Sequence, residues 1–110
     1  MKIFFTNIFK KQLKKLKKKF PNVKNDLLDK FKILDLDNEV HIGKGIYKVR
    51  IKSSDYPKGK SGGFRSYFYL YKKKNLIVPL CIYHKSQKET ITERELKFYF
   101  DKVIEELLKI

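Results

Sequence analysis

Tryptophan is absent from this 110-residue chain, and cysteine occurs once, at Cys81. A lone thiol cannot make an internal disulfide, so a disulfide framework is excluded and a reducing cytoplasm is the expected compartment. Cys81 sits inside an apolar run and reads as an inert buried thiol. Acids are scarce too: 12 Asp plus Glu stand against 27 Lys plus Arg, a net charge of +15. That imbalance makes a polyanion the expected partner, with nucleic acid the leading candidate. No stretch approaches the roughly 18 apolar residues of a membrane span. The opening MKIFFTNIFKK has neither a continuous apolar signal core nor a small-residue cleavage site, so an unexported protein without a membrane partner is expected. The two histidines offer no metal-ligand spacing, so neither a metal nor a cofactor is expected.

What is present suffices for a core. Apolar residues make up 42% and aromatics 15%, so the mean hydropathy of -0.51 reflects charge rather than disorder. At this length a single domain over residues 1–110 is expected. Lys2–Phe5 is a short β-rich opening. Thr6 can cap a helix over about Asn7–Lys19, where Phe9, Leu13, Leu16 and Phe20 keep helical spacing before Pro21 ends it. The other face of that helix carries Lys10, Lys11, Lys14, Lys15, Lys17, Lys18 and Lys19 with no acid among them. Like charges at i,i+4 destabilise an isolated helix, so packing or a bound polyanion must offset them.

A second helix starts near Asn22 or Asn25 and runs through Leu27, Leu28 and Phe31, followed by an acidic loop at Asp35–Glu39 with His41 beyond it in a loop. Ile46–Lys52 alternates strictly: Tyr47, Val49 and Ile51 on one face, Lys48, Arg50 and Lys52 on the other. Ser53–Gly63 is a turn-rich basic loop, and Phe64–Tyr71 alternates again, with Arg65, Tyr67, Tyr69 and Tyr71 on one face. Lys72–Asn75 reads as a hairpin turn, and Leu76–Tyr83 as an apolar strand coverable on both sides. Pro79 requires an edge position or a bulge there. Thr92 and Glu95 form a capping box for a last helix whose Leu96, Tyr99, Phe100, Val103, Ile104 and Leu107 make an apolar stripe. The class is α+β, in the order β-α-α-β-β-β-α.

Charge is unevenly placed. Gly43–Lys88 holds twelve Lys or Arg and one acid, Asp55. Outward positions on two neighbouring strands interleave Lys48, Arg50 and Lys52 with Arg65, Tyr67, Tyr69 and Tyr71, a mixture that can hold phosphates and stack bases. Lys48 and Lys52 could equally solvate an exposed face, but Arg65 is the only charge on its strand, beside a Gly pair and flanked by aromatics. Lys58 and Lys60 lie in a Gly-rich loop that lacks the spacing of a nucleotide-binding loop and leads into a strand, so triphosphate binding is rejected; the loop reads as a cationic border to an RNA site or, nearly as readily, as an ordinary solvated loop. Lys85 and Lys88 stand where the last strand gives way to helix. His84 alternates with Lys85, so the two face opposite ways.

These residues carry a family likeness. IGKGIYKVRIK, then KGKSGGFRSYFYLYKKKNLIVPLCIYHKSQKETIT, then ELKFYFDKVIEEL, resemble the RelE/HigB toxins of bacterial type II toxin–antitoxin systems, the HigB branch in particular. The resemblance covers nearly the whole chain. It implies a RelE/ParE-like fold, a small twisted antiparallel sheet with an N-terminal αα-hairpin and a C-terminal helix. It implies binding in the ribosomal A site and cleavage of mRNA by attack of its own 2′-OH on the adjacent phosphate. Arg65 then corresponds to the strand arginine that stabilises charge on the phosphate, Lys48 and Arg50 to the basic pair on the preceding strand, and Lys85 with Lys88 to the basic residues of the last loop. Lys48 or Lys85 is the candidate proton-transfer group. Lys52, Lys58, Lys60, Tyr67 and Lys88 are expected to bind nucleic acid. The implied partners are the ribosome with its mRNA and a cognate, HigA-like helix-turn-helix antitoxin, with operator DNA reached only through the antitoxin complex.

Tyr99 falls on the apolar stripe, which leaves the general base unassigned. A ParE-like gyrase-inhibiting toxin would share the fold but not the basic set. A non-catalytic nucleic-acid-binding module needs only the net charge. A membrane-surface role for the first helix would divert its apolar face from the core.

Overall fold

The computed structural model describes residues 1–55 and 63–110. Thr6 starts the first helix as its sequence predicts, its hydroxyl accepting the Phe9 N–H at 3.3 Å. The elements are β1 (Lys2–Ile3), α1 (Asn7–Lys17), α2 (Val23–Lys32), β2 (Val40–Gly43), β3 (Ile46–Lys52), β4 (Gly63–Tyr71), β5 (Leu76–His84) and α3 (Glu93–Leu107). A 3-10 turn at Lys72–Lys74, with Asn75 left-handed at φ 55°, makes the expected connection between β4 and β5.

Two features differ from the expected order. The first is β2, which puts His41 in a strand opposite Tyr47, with the rings 4.6 Å apart, rather than in a loop. The acid-rich approach and the exposure of Val40 and Ile42 conceal so short an edge strand. Its hairpin turns through Lys44 (φ 53°) and Gly45 (φ 78°), the two positive dihedrals of a type I′ turn, which suits the twist of paired strands. The second is the sheet itself, ordered β1-β5-β4-β3-β2. It is mixed rather than wholly antiparallel, because β1 runs parallel to β5 while the other pairs are antiparallel.

The alternation read in the sequence divides the core between two faces. Val49, Ile51, Phe64 and Phe68 pack with Phe9, Leu13 and Leu16 of α1 and with Leu27 and Phe31 of α2. Tyr67, Val78, Cys81 and Tyr83 pack on the other face with Val103 and Leu107 of α3. Strand β5 is buried along all but its first residue, as its unbroken apolar run predicts for a strand covered on both sides. Capping fixes α3 through the Thr92 and Glu95 reciprocal bonds. The carboxylate of Glu106 in turn accepts the Asn7 N–H at 2.8 Å, bringing a negative charge to the N-terminus of α1.

Pro79 is at a bulge and not at an edge. Tyr67 faces Cys81 and Phe68 faces Pro79, leaving Leu80 as the additional residue. Strand β1 spans only the start of β5, and further along Gln12 of α1 acts as its neighbour: it accepts the Ile82 N–H at 2.9 Å and donates to the Leu80 carbonyl at 3.4 Å. We predict that Gln12→Met, similar in length but unable to accept or donate strongly, costs about 1–3 kcal/mol by stranding the Ile82 N–H. A urea midpoint equal to that of the parent protein would contradict this.

Candidate nucleic-acid interface

The register of β3, β4 and β5 arranges the candidate residues in rows. Lys48 is opposite Tyr67, which is opposite Cys81; Arg50 is opposite Arg65, which is opposite Tyr83. Lys52 is opposite Gly63, and the Gly63 carbonyl accepts the Lys85 N–H at 3.0 Å, carrying the ladder one residue past β5. Residues facing each other in a row share a side of the sheet, so Lys48, Arg50, Lys52 and Arg65 lie on one face. Lys85 continues the alternation of Cys81 and Tyr83 onto it. Glycine is needed in the third row, since a Cβ on Gly63 would stand 2.9 Å from the Ile51 carbonyl oxygen.

Helix α3 covers the tyrosine end of this face and leaves the cationic end open. Tyr69 meets the Phe100 ring edge-on at 5.3 Å. Tyr67, expected at an outward stacking position, is only 6% exposed; α3 buries it, and the Lys48 ammonium lies 6.0 Å from its ring centroid. Its ring is therefore no open platform for a base. Arg50, Lys52 and Lys85 are exposed, and Lys48 and Arg65 half-buried. Lys88 is tied to Glu95 at the start of α3 by an ion pair, which reduces its net charge toward a ligand. Lys58 and Lys60 lie outside the described residues.

Among the described residues no acid neutralises the open end. Among the described residues, none of Lys48, Arg50, Lys52, Arg65 and Lys85 belongs to an ion pair. Asp55 turns instead to the start of α2, where it accepts from the Asn22 backbone at 3.1 Å and its side-chain amide at 2.9 Å. Asp26 likewise accepts the Ser54 N–H at 2.9 Å. Two arginines directly opposite each other repel and lower stability slightly. An oxyanion between them would reverse that sign.

Tyr83 was not singled out by the sequence, because placing it beside Arg65 requires the register across the bulge. Its hydroxyl is buried and makes no hydrogen bond of ordinary geometry among the described residues. Burial, with Tyr67 and Cys81 nearby, pushes its pKa up to about 12. It remains a neutral phenol and takes no charge from Arg65. Burial also pushes the Cys81 thiol up to about 12, in keeping with an inert group. Tyr99 packs partly buried against the same cluster. Among the described residues no group of His, Cys, Asp and Glu could hold a metal ion.

His84 belongs to the opposite face. It is 1% exposed, stacks on Phe20 at 4.3 Å and meets Phe64 edge-on at 5.2 Å. Its Nδ1 accepts the Ser86 N–H at 3.1 Å, which requires the proton on Nε2. Burial, with Lys19 and Arg65 adding like charge, holds its pKa below the ordinary 6.5. The unfolded chain therefore takes up this proton at a higher pH than the folded one. The contribution is fully present above about 6.5 and is lost as pH falls through the folded value. We expect the urea midpoint to fall on going from about pH 7.5 to about pH 5.5, and His84→Gln to flatten that fall. A parent protein whose pH profile matches the variant's would remove His84 as the cause.

The chain is thus a small α+β protein with a mixed sheet, helices on both faces and a cationic strand surface that no acid among the described residues pairs with, the architecture implied by the toxin family that its motifs resemble. The family model described as the RelE toxin of the RelE/RelB toxin–antitoxin system matches residues 1–109. The chain belongs to the RelE toxin family, as the toxin of a toxin–antitoxin system with a cognate antitoxin for its partner. A comparison with curated proteins returns no match. Among the described residues no helix is long and apolar enough to cross a membrane.

Proposed function

We propose that this toxin inhibits translation in the cytoplasm as a ribosome-dependent mRNA endoribonuclease of the HigB branch. The observation that carries this reading is the Arg50–Arg65 pair, flanked by Lys48, Lys52 and Lys85, with no acid among the described residues paired to any of them. In the cleavage step the mRNA 2′-oxygen bonds to the adjacent phosphorus, the bond to the 5′-oxygen breaks, the 2′ proton leaves to a base and the 5′-oxygen gains a proton. Negative charge grows on the phosphorus-bound oxygens, and cations already in position stabilise it without reorganising. Arg65 is assigned to that charge with Arg50 beside it. Lys48 and Lys85 are assigned to proton transfer, and Lys52 with Lys58, Lys60 and Lys88 to the RNA backbone. The ribosomal A site would supply orientation, which explains how so sparse a set could suffice.

The antitoxin in this reading is a HigA-like helix-turn-helix protein that neutralises part of the basic face with an acidic segment and carries the pair to operator DNA. The deciding experiment is primer extension on a reporter mRNA in a translation extract. Cuts within codons that vanish when initiation is blocked support the reading. Equal cutting of naked RNA, or DNA damage without mRNA cuts as for a ParE-like gyrase poison, would refute it.

A further inference from the structure

We propose that the outer face of α1 is a second RNA-docking surface, which grips the sugar–phosphate backbone of structured RNA on the side of the molecule away from the cationic strands. At about 100° per residue, Lys10, Lys11, Lys14, Lys15, Lys17 and Lys18 span an arc of about 160° around the helix. All six are exposed. Among the described residues none is ion-paired. Successive lysines stand at i,i+3 and i,i+4, spacings at which like charges repel and weaken the helix. The helix dipole compensates Lys14, Lys15 and Lys17 in the last turn. It does nothing for Lys10 and Lys11, which lie nearer the N-terminal end. A ligand of opposite charge accounts for the whole arc.

The chemistry of the face selects the occupant. Phe9, Leu13 and Leu16 are buried against the sheet, so no large apolar side chain of that stripe is left to enter a bilayer. Protein interfaces are depleted in lysine and anchored by aromatic residues, and this arc holds six lysines with Asn7 and no aromatic side chain. Backbone recognition of nucleic acid needs point charges spread along a line and no base-reading forks. Because α1 covers one face of the sheet and the cationic rows lie on the α3 face, the two surfaces point in different directions. The molecule can then hold mRNA on one side and an RNA duplex on the other. The reading of ribosome-dependent cleavage enters only in naming that duplex as ribosomal RNA.

The test compares the parent protein with Lys10→Gln/Lys14→Gln/Lys18→Gln by fluorescence anisotropy against a mixed-sequence RNA duplex over a salt series. Each phosphate neutralised contributes about 0.7–0.9 to the slope of log K against log[salt], so the triple variant should lose about 2–3 from that slope and bind at least about tenfold more weakly at low salt. Its unfolding midpoint should not fall, since only exposed, mutually repelling charges are removed. An unchanged slope overturns the proposal, as does a loss seen with phosphatidylserine vesicles but not with the duplex. If the parent protein makes no translation-dependent mRNA cuts yet the slope loss holds, the docking surface stands and the cleavage reading falls.

Discussion

Replacing Arg65 with alanine is expected to lower translation-coupled mRNA cleavage by about 10²–10³-fold, the usual loss when one preorganised donor to a developing oxyanion is removed. The fold should survive. Arg65 is half-buried, and among the described residues its guanidinium makes one hydrogen bond, a long 3.4 Å one to the neighbouring Phe64 carbonyl. Removing it also relieves the repulsion from Arg50 directly opposite. The loss of stem packing and the loss of repulsion oppose each other, so the unfolding midpoint should stay near that of the parent. Arg65→Lys keeps the charge but not the planar fork of donors, and should recover only part of the rate. Single-turnover cleavage on programmed ribosomes measures all three proteins. If Arg65→Ala cuts within about threefold of the parent rate, Arg65 does not stabilise the transition state.

Local chemistry makes most elements legible in the sequence. Thr6 caps α1, and Thr92 with Glu95 frames α3, because a cap depends on residues within one turn. The strict alternation of Ile46–Lys52 predicts both the bounds of β3 and its two faces. Alternation does not say which helix covers which face. Tyr67 therefore reads as an open ring in the sequence and lies beneath α3 in the structure. Lys88 reads as a free cation and is paired with Glu95, seven positions away. Pro79 announces an irregularity, but only the register across it brings Tyr83 beside Arg65. Gln12 carries no signal in the sequence, because its role depends on β5, some seventy positions away, lying against it. Strand β2 is short and edge-on, so its propensity is weak, although the Gly43-Lys44-Gly45 run carries a turn signal that could have revealed the hairpin.

The largest effect on stability is expected at Phe68. Its side chain is fully buried, stacks on Tyr47 at 5.3 Å and 9°, and meets Phe31 edge-on at 5.5 Å and 73°. It also faces Pro79, so it fills the space where the bulge deflects β5. Truncation of a buried Phe to Ala costs about 3–5 kcal/mol, from lost burial and from the cavity left behind. Tyr47 is only partly buried and can swing inward, which allows some collapse and favours the lower half of that range. Against a total stability of about 5–15 kcal/mol, even that loss removes a large fraction of the folding free energy. Phe68→Leu retains most of the apolar volume and should cost about 1–2 kcal/mol. Urea denaturation separates the two, with the midpoint falling and the slope unchanged if only packing is lost. The conservative variant should still cleave mRNA near the parent rate, because Phe68 faces away from the cationic rows while Arg65→Ala removes one of them. Wild-type stability in Phe68→Ala would mean that the β4–β5 bulge is held by something other than this aromatic contact.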